Sequence, residues 1–186
     1  MMRKTAKTIA LFIRTMRPHQ WVKNIFIFAP MLFSGKFFSF PYIKNSVAAF
    51  FLFSLVAGCI YIFNDTFDKE KDSRHPDKKK RPIASGALNA KVAVTAGVLL
   101  LAATLTTIYF FNVYFLYITL IYVVMNIIYS AFLKHVVILD VMIIAVGFVL
   151  RVEIGGVVNN IEMYPWILII TFLLAIFLGL IKRRQE

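Results

Sequence analysis

Asp65, Asp68 and Asp72 stand at the end of a long apolar run, Ser46 to Phe63, spaced i, i+3 and i+7. On a continuous helix that spacing predicts three carboxylates on one face. Crowded like charges repel unless a cation joins them. Mg2+ is a cation that a few carboxylates and a substrate's phosphates hold together. Asn64, immediately before the first acid, is counted with the three aspartates as a metal ligand. Bases follow at once: Arg74, Lys78, Lys79, Lys80 and Arg81. Acids for a metal beside bases for phosphate predict a site for a diphosphate-bearing substrate. The alternative is a solvated polar loop in which Glu and Lys merely alternate.

Other polar groups sit at the edges of apolar runs. Arg17-Pro18-His19-Gln20-Trp21-Val22-Lys23-Asn24 opens the first of them. Lys23 at a membrane boundary is a functional-site candidate, with a phosphate or the acid cluster as its partner. The alternative is snorkelling of Lys23 to the interface, with Trp21 as an anchor. His19 alone signals little. Tyr129-Ser130-Ala131-Phe132-Leu133-Lys134 makes a second polar turn, with Asp140 just inside the next run. Lys134 is placed to reach a phosphate, or else only anchors the turn beside a structural Asp140. Arg151 is expected to pair with Glu153 or with lipid head groups. Lys182-Arg183-Arg184-Gln185-Glu186, taken alone, is a stop-transfer charge run.

These side chains need a membrane scaffold to position them. The 186 residues are 60% hydrophobic with a mean hydropathy of +0.78, well above the roughly 45–50% apolar content of soluble domains. Six apolar segments are predicted as spans: Trp21–Phe38, Ser46–Phe63, Ala90–Phe110, Val113–Phe132, Val136–Val152 and Met163–Ile181. The first is the weakest, because it carries Lys23, Asn24 and Pro30, and a kinked or partly re-entrant course is expected for it. With a cytoplasmic N-terminus, six basic residues up to Lys23, eight from Lys69 to Lys91, Lys134 and three from Lys182 to Arg184 lie inside, 18 of the 21. That bias predicts a cytoplasmic N-terminus and a cytoplasmic loop 64–89. The net charge of +12 is gathered in short segments between apolar runs, so lipid rather than nucleic acid is the expected partner. Within the loop, His75-Pro76 is expected to break the helix that carries the acids. Cys59, the single cysteine, reads as a small buried side chain.

The sequence resembles a known family over almost its whole length. Asn64-Asp65-x-x-Asp68-x-x-x-Asp72 is similar to the first Asp-rich motif of the UbiA superfamily of intramembrane prenyltransferases. Further segments resemble its decaprenyl-phosphate phosphoribosyltransferase branch. These are Arg17-Pro18-x-Gln20-Trp21-Val22-Lys23-Asn24, His75-Pro76 through Arg81-Pro82-Ile83-Ala84-Ser85-Gly86, Tyr129-Ser130 with Leu133-Lys134, Asp140-Val141, Gly147-Phe148-Val149-Leu150-Arg151, and Lys182-Arg183-x-x-Glu186.

The resemblance implies an all-α, polytopic transmembrane helix bundle in one domain, 1–186. It implies transfer of a 5-phosphoribosyl group from phosphoribosyl diphosphate to a polyprenyl phosphate, with release of diphosphate, for cell-envelope polysaccharide synthesis. In that frame Asp65, Asp68 and Asp72 hold catalytic Mg2+. Gln20, Lys23, Asn24, Arg81, Lys134, Lys182 and Arg183 contact phosphate. Tyr129, Asp140 and Glu186 are further polar candidates. The superfamily fold has nine helices against six predicted spans here. The chain is therefore expected to be incomplete as a family enzyme, with a second copy or a complementing C-terminal chain as a partner. Three other readings stand beside this one: a prenyltransferase with an allylic diphosphate donor, an inactive remnant, and a small transporter subunit. A transporter's site is expected near the bilayer midplane, whereas these polar groups crowd one boundary.

Overall fold

The computed structural model describes residues 2–130 and 137–185, and among them every regular element is helical. In chain order these are α1 (Met2–Thr15), a 3-10 segment (Pro18–Phe28), α2 (Ala29–Phe33), α3 (Phe40–Phe67), α4 (Lys69–Arg74), a 3-10 turn (Lys78–Lys80), α5 (Ala90–Phe111), α6 (Val113–Ile128), α7 (Val137–Val158) and α8 (Pro165–Gln185). Among the described residues three helices are long and apolar enough to cross a membrane: Phe40–Phe67, Ala90–Phe111 and Ile138–Val158. Val113–Ile128 and Pro165–Ile181 are shorter apolar helices. The chain is an all-α integral membrane protein.

One expected span takes a different form. Trp21–Phe38 is not a straight helix: a 3-10 segment passes into the five-residue α2. Pro30, near the start of α2, lacks the N–H that an α-helix running through it from the preceding turn would need. Elsewhere the helices outrun their expected limits. α3 begins at Phe40 rather than Ser46, with Pro41 in a first turn that has no use for its N–H. α7 continues through Gly155-Gly156 to Val158.

The residues form two compact units, Met1–Val22 with Ser54–Thr107, and Lys23–Phe53 with Ile108–Glu186. In the first, Met16, Ile62, Ile83, Leu88 and Ala93 form a buried cluster, flanked by Leu11, Phe12 and Trp21. Gly58 permits this packing, since a Cβ there would fall 2.6 Å from the Met16 Cε. The polar loop is folded rather than loose. α4 stops at Arg74 because His75, before Pro76, is extended (φ −86°, ψ 137°). Gly86 turns the chain at φ 73°, the Leu88 N–H donates to Pro82 O at 2.9 Å, and the Asn89 side chain accepts from the Lys91 N–H at 2.9 Å as α5 begins.

In the second unit α7 packs on α6 and α8. Asn112 caps α6 by accepting from the Phe115 N–H at 3.0 Å. Buried and half-buried polar groups tie α3 to the end of α7. Asn159 Nδ2 donates to Ser46 Oγ at 2.8 Å and Asn45 Nδ2 to Val158 O at 3.2 Å. Asn159 Nδ2 also donates to Gly155 O at 3.1 Å, while its Oδ1 is buried with no partner among the described residues. Gly155 lets the 3-10 segment lie against α7, because a Cβ there would run into the Ile27 carbonyl oxygen.

Candidate active site

The acidic segment is built at the junction of α3 and α4. α3 ends at Phe67, and Asp68 (φ −89°, ψ 8°) leads into α4. The helical ladder nearly survives, with the Asp68 N–H on Asn64 O at 2.9 Å and the Asp72 N–H on Asp68 O at 2.8 Å. The expected single helix is thus two helices joined by a tight turn. Asp65 and Asp72 are nevertheless buried together, 2% and 3% exposed. Asn64 and Asp68 are half-buried beside them.

Two arginines hold the acids. Arg81 Nη1 donates to both carboxylates, to Asp65 Oδ1 at 3.2 Å and Asp72 Oδ2 at 2.5 Å. Arg17 Nη2 donates to the same Asp65 oxygen at 2.5 Å. Arg17 also lies over the Tyr61 ring, 4.9 Å from its centroid. It has a left-handed backbone, φ 53°, which costs a non-glycine residue about 1–3 kcal/mol and collects at functional sites. The turn just after α1 supplies the cause: Arg17 N–H bonds to Arg14 O at 3.2 Å and Gln20 N–H to Arg17 O at 2.8 Å. The guanidinium is thereby swung onto α3.

A cavity of about 510 Å3 opens at this cluster, lined by Asp65, Arg17 and Arg81 together with Arg14, His19 and Lys80. Among the described residues no three acids or histidines gather into a ready metal cage. Asp65 and Asp72 do converge on one cationic nitrogen. Two hard oxygen donors already sharing a cation fit Mg2+ when phosphate oxygens complete its shell.

The remaining candidates are dispersed. Gln20 is half-buried in the 3-10 segment of the same unit. Lys23 is exposed and Asn24 buried in the other unit. Asn24 Oδ1 accepts from Arg151 Nε at 2.8 Å. Tyr129 donates to Asp140 Oδ1 at 2.5 Å. Lys134 and Glu186 lie outside the described residues, as do the side chains of Lys182 and Arg183 on α8.

Arg151 corrects an expectation. Among the described residues it makes no ion pair with Glu153. It is 7% exposed and donates to Asn24, Gly147 O and Tyr122 OH, within about 5–6 Å of the Phe53, Tyr122 and Phe148 ring centroids. The reason is direction: Gly147 lies one turn back along α7, where a helical side chain points. Arg14, and the part that Arg17 plays in holding Asp65, are what sequence reasoning passed over; Lys80 was named only within the run of bases. The signal for the arginines was Arg14 and Arg17 three apart at the end of an amphipathic helix.

Comparison with known proteins places the chain in a family. Residues 25–183 match the model of the UbiA prenyltransferase family. The chain is 34% identical over 179 residues to the decaprenyl-phosphate phosphoribosyltransferase of Mycolicibacterium smegmatis, covering 94% of this chain and 56% of that protein. It thus spans little more than half the length of this relative. Two solved structures share the fold. One is described as a UbiA homolog from Archaeoglobus fulgidus bound to DMAPP and Mg2+ (TM-score 0.71, 21% identity, 89% of this chain and 60% of that one). The other is from a study of digeranylgeranylglyceryl phosphate synthase in membranes (TM-score 0.74, 24% identity, 91% and 58%). The protein whose acids, arginines and membrane helices are described above belongs to the UbiA prenyltransferase family.

Proposed function

We propose that this chain carries the donor site of an Mg2+-dependent intramembrane transferase. In this reading it moves a 5-phosphoribosyl group from phosphoribosyl diphosphate to a polyprenyl phosphate such as decaprenyl phosphate. The observation that carries the proposal is the buried Asp65–Arg81–Asp72 bridge at a cavity rimmed with bases. The relative named as a decaprenyl-phosphate phosphoribosyltransferase supports the choice of donor and acceptor.

A lipid phosphate oxygen attacks the ribose C1 while the C1–O bond to diphosphate breaks, and the electron pair leaves with the diphosphate. No protein nucleophile is required. Bound Mg2+ supplies neutralisation of the charge that gathers on the leaving group. Asp65 and Asp72 would hold it, with Asn64 and Asp68 alongside. Arg14, Arg17, Lys80 and Arg81 orient the phosphates through charge-assisted bonds. Lys23, Lys134, Lys182 and Arg183 are further phosphate contacts in the same proposal, and the product feeds envelope polysaccharide synthesis. The Asp-rich loop faces the cytoplasm, following the basic residues around it.

The test is a transfer assay in detergent micelles with labelled phosphoribosyl diphosphate, polyprenyl phosphate and Mg2+. Label entering the lipid phase is the expected result. A second reading has its own support in the family relative bound to DMAPP and Mg2+. Transfer from an allylic diphosphate, with none from phosphoribosyl diphosphate, would establish that reading instead.

A further inference from the structure

Resting on the reading of this cavity as a metal–diphosphate site, we propose that Arg17 and Arg81 are exchangeable counter-ions. They neutralise Asp65 and Asp72 while no divalent cation is bound. They pass to phosphate oxygens when metal and diphosphate enter together.

The argument starts from burial. Asp65 and Asp72 are almost wholly removed from solvent, and buried charges left without partners are strongly destabilising. Arg17 and Arg81 supply the partners, and both use Asp65 Oδ1. A divalent cation seeking that oxygen meets two guanidinium groups already on it. Metal alone must therefore displace an arginine, and the displaced charge needs a new anion.

The arginines have somewhere to go. Their side chains are 23% and 28% exposed and line the cavity of about 510 Å3. Arg14 and Lys80 share its wall with one further acid, Asp77, so a displaced guanidinium enters surroundings in which positive charge still outweighs negative. A diphosphate in the cavity reverses that balance, because its oxygens accept the fork-shaped donors that the carboxylates give up. Metal and diphosphate thereby become coupled ligands, each raising the other's affinity by the same factor. The left-handed backbone at Arg17 (φ 53°) fits a residue held for this exchange.

The experiment measures Mn2+ binding by the loss of the free-ion electron paramagnetic resonance signal. The full chain in nanodiscs is titrated with and without inorganic diphosphate. Wild-type protein is expected to bind Mn2+ at least tenfold more tightly with diphosphate present. Arg17→Gln and Arg81→Gln should each raise Mn2+ affinity in the absence of diphosphate, by roughly tenfold, and shrink the gain that diphosphate brings. Arg14→Gln is the control for simple charge removal: it lines the cavity without an ion pair to either acid. Its effect on Mn2+ alone should be less than threefold.

Equal effects of all three variants would reduce the finding to a general field and overturn the exchange. So would an unchanged coupling factor in Arg17→Gln. Absence of Asp65-dependent Mn2+ binding in wild type, with and without diphosphate, would remove the metal site and the underlying reading with it.

Discussion

Two arginine clusters in this protein use the same side chain in opposite ways. Arg17 and Arg81 meet carboxylates, stay a quarter exposed and border open volume. Arg151 meets neutral oxygens and aromatic faces, is buried, and borders close packing. Ion pairs beside a cavity can trade partners, since an incoming metal or phosphate offers each charge an alternative. A guanidinium bonded to an amide, a backbone carbonyl and a phenol has no charged rival at hand. The first cluster is built for exchange and the second for fixation.

The largest expected effect breaks the first cluster. Asp65→Asn should lower transfer by about 10^3-fold or more, by analogy with the loss of a group that holds charge at the reacting centre. Asp72→Asn, with one arginine contact instead of two, should fall by less. Initial rates at saturating Mg2+, with size-exclusion profiles to check folding, measure both.

Breaking the second cluster should act on stability instead. Arg151→Met removes the buried guanidinium donor to Asn24 Oδ1, Gly147 O and Tyr122 OH, and loss of buried hydrogen bonds from a charged group costs about 1–3 kcal/mol. Arg151→Lys should fail to restore the thermal midpoint, because an ammonium cannot reproduce a planar fork with three acceptors. Mn2+ affinity should stay within about twofold of wild type in whatever fraction remains folded. A tenfold loss of that affinity would erase the contrast between the clusters.

Gly155→Ala sharpens the comparison at a backbone contact. Its Cβ would meet the Ile27 carbonyl, and overpacking of this kind costs about 1–3 kcal/mol. A drop in thermal midpoint without a change in metal affinity is expected. The smallest stability effect belongs to Arg17→Gly, which relieves the left-handed backbone while deleting an ion pair. The two terms oppose each other, leaving a net change within about 1 kcal/mol, while phosphate-dependent binding falls. Urea titration in mild detergent checks the stability part.

Separation along the chain decided what could be read from the sequence. The helical class, the break at His75 and the place of the acids beside Arg81 were legible. Their causes are local: apolar runs, a proline, and partners 9 and 16 residues apart. Arg17 reaches Asp65 across 48 residues and Arg151 reaches Asn24 across 127. No periodicity encodes those meetings, which depend on how helices pack. The same limit hid the course of Trp21–Phe38. Its composition pointed to a disturbed helix, but the choice of 3-10 winding is set by contacts such as Ile27 on Gly155.

That winding changes the measure of the chain. Eleven residues, Pro18–Phe28, are wound as 3-10 helix, a form that rarely runs beyond three or four. At its rise they extend about 22 Å, where an α-helix of equal count would reach about 16 Å. The segment is a drawn-out coil, with a contour that few residues fill. An α-helix of the same count would fall about 5 Å short of that contour.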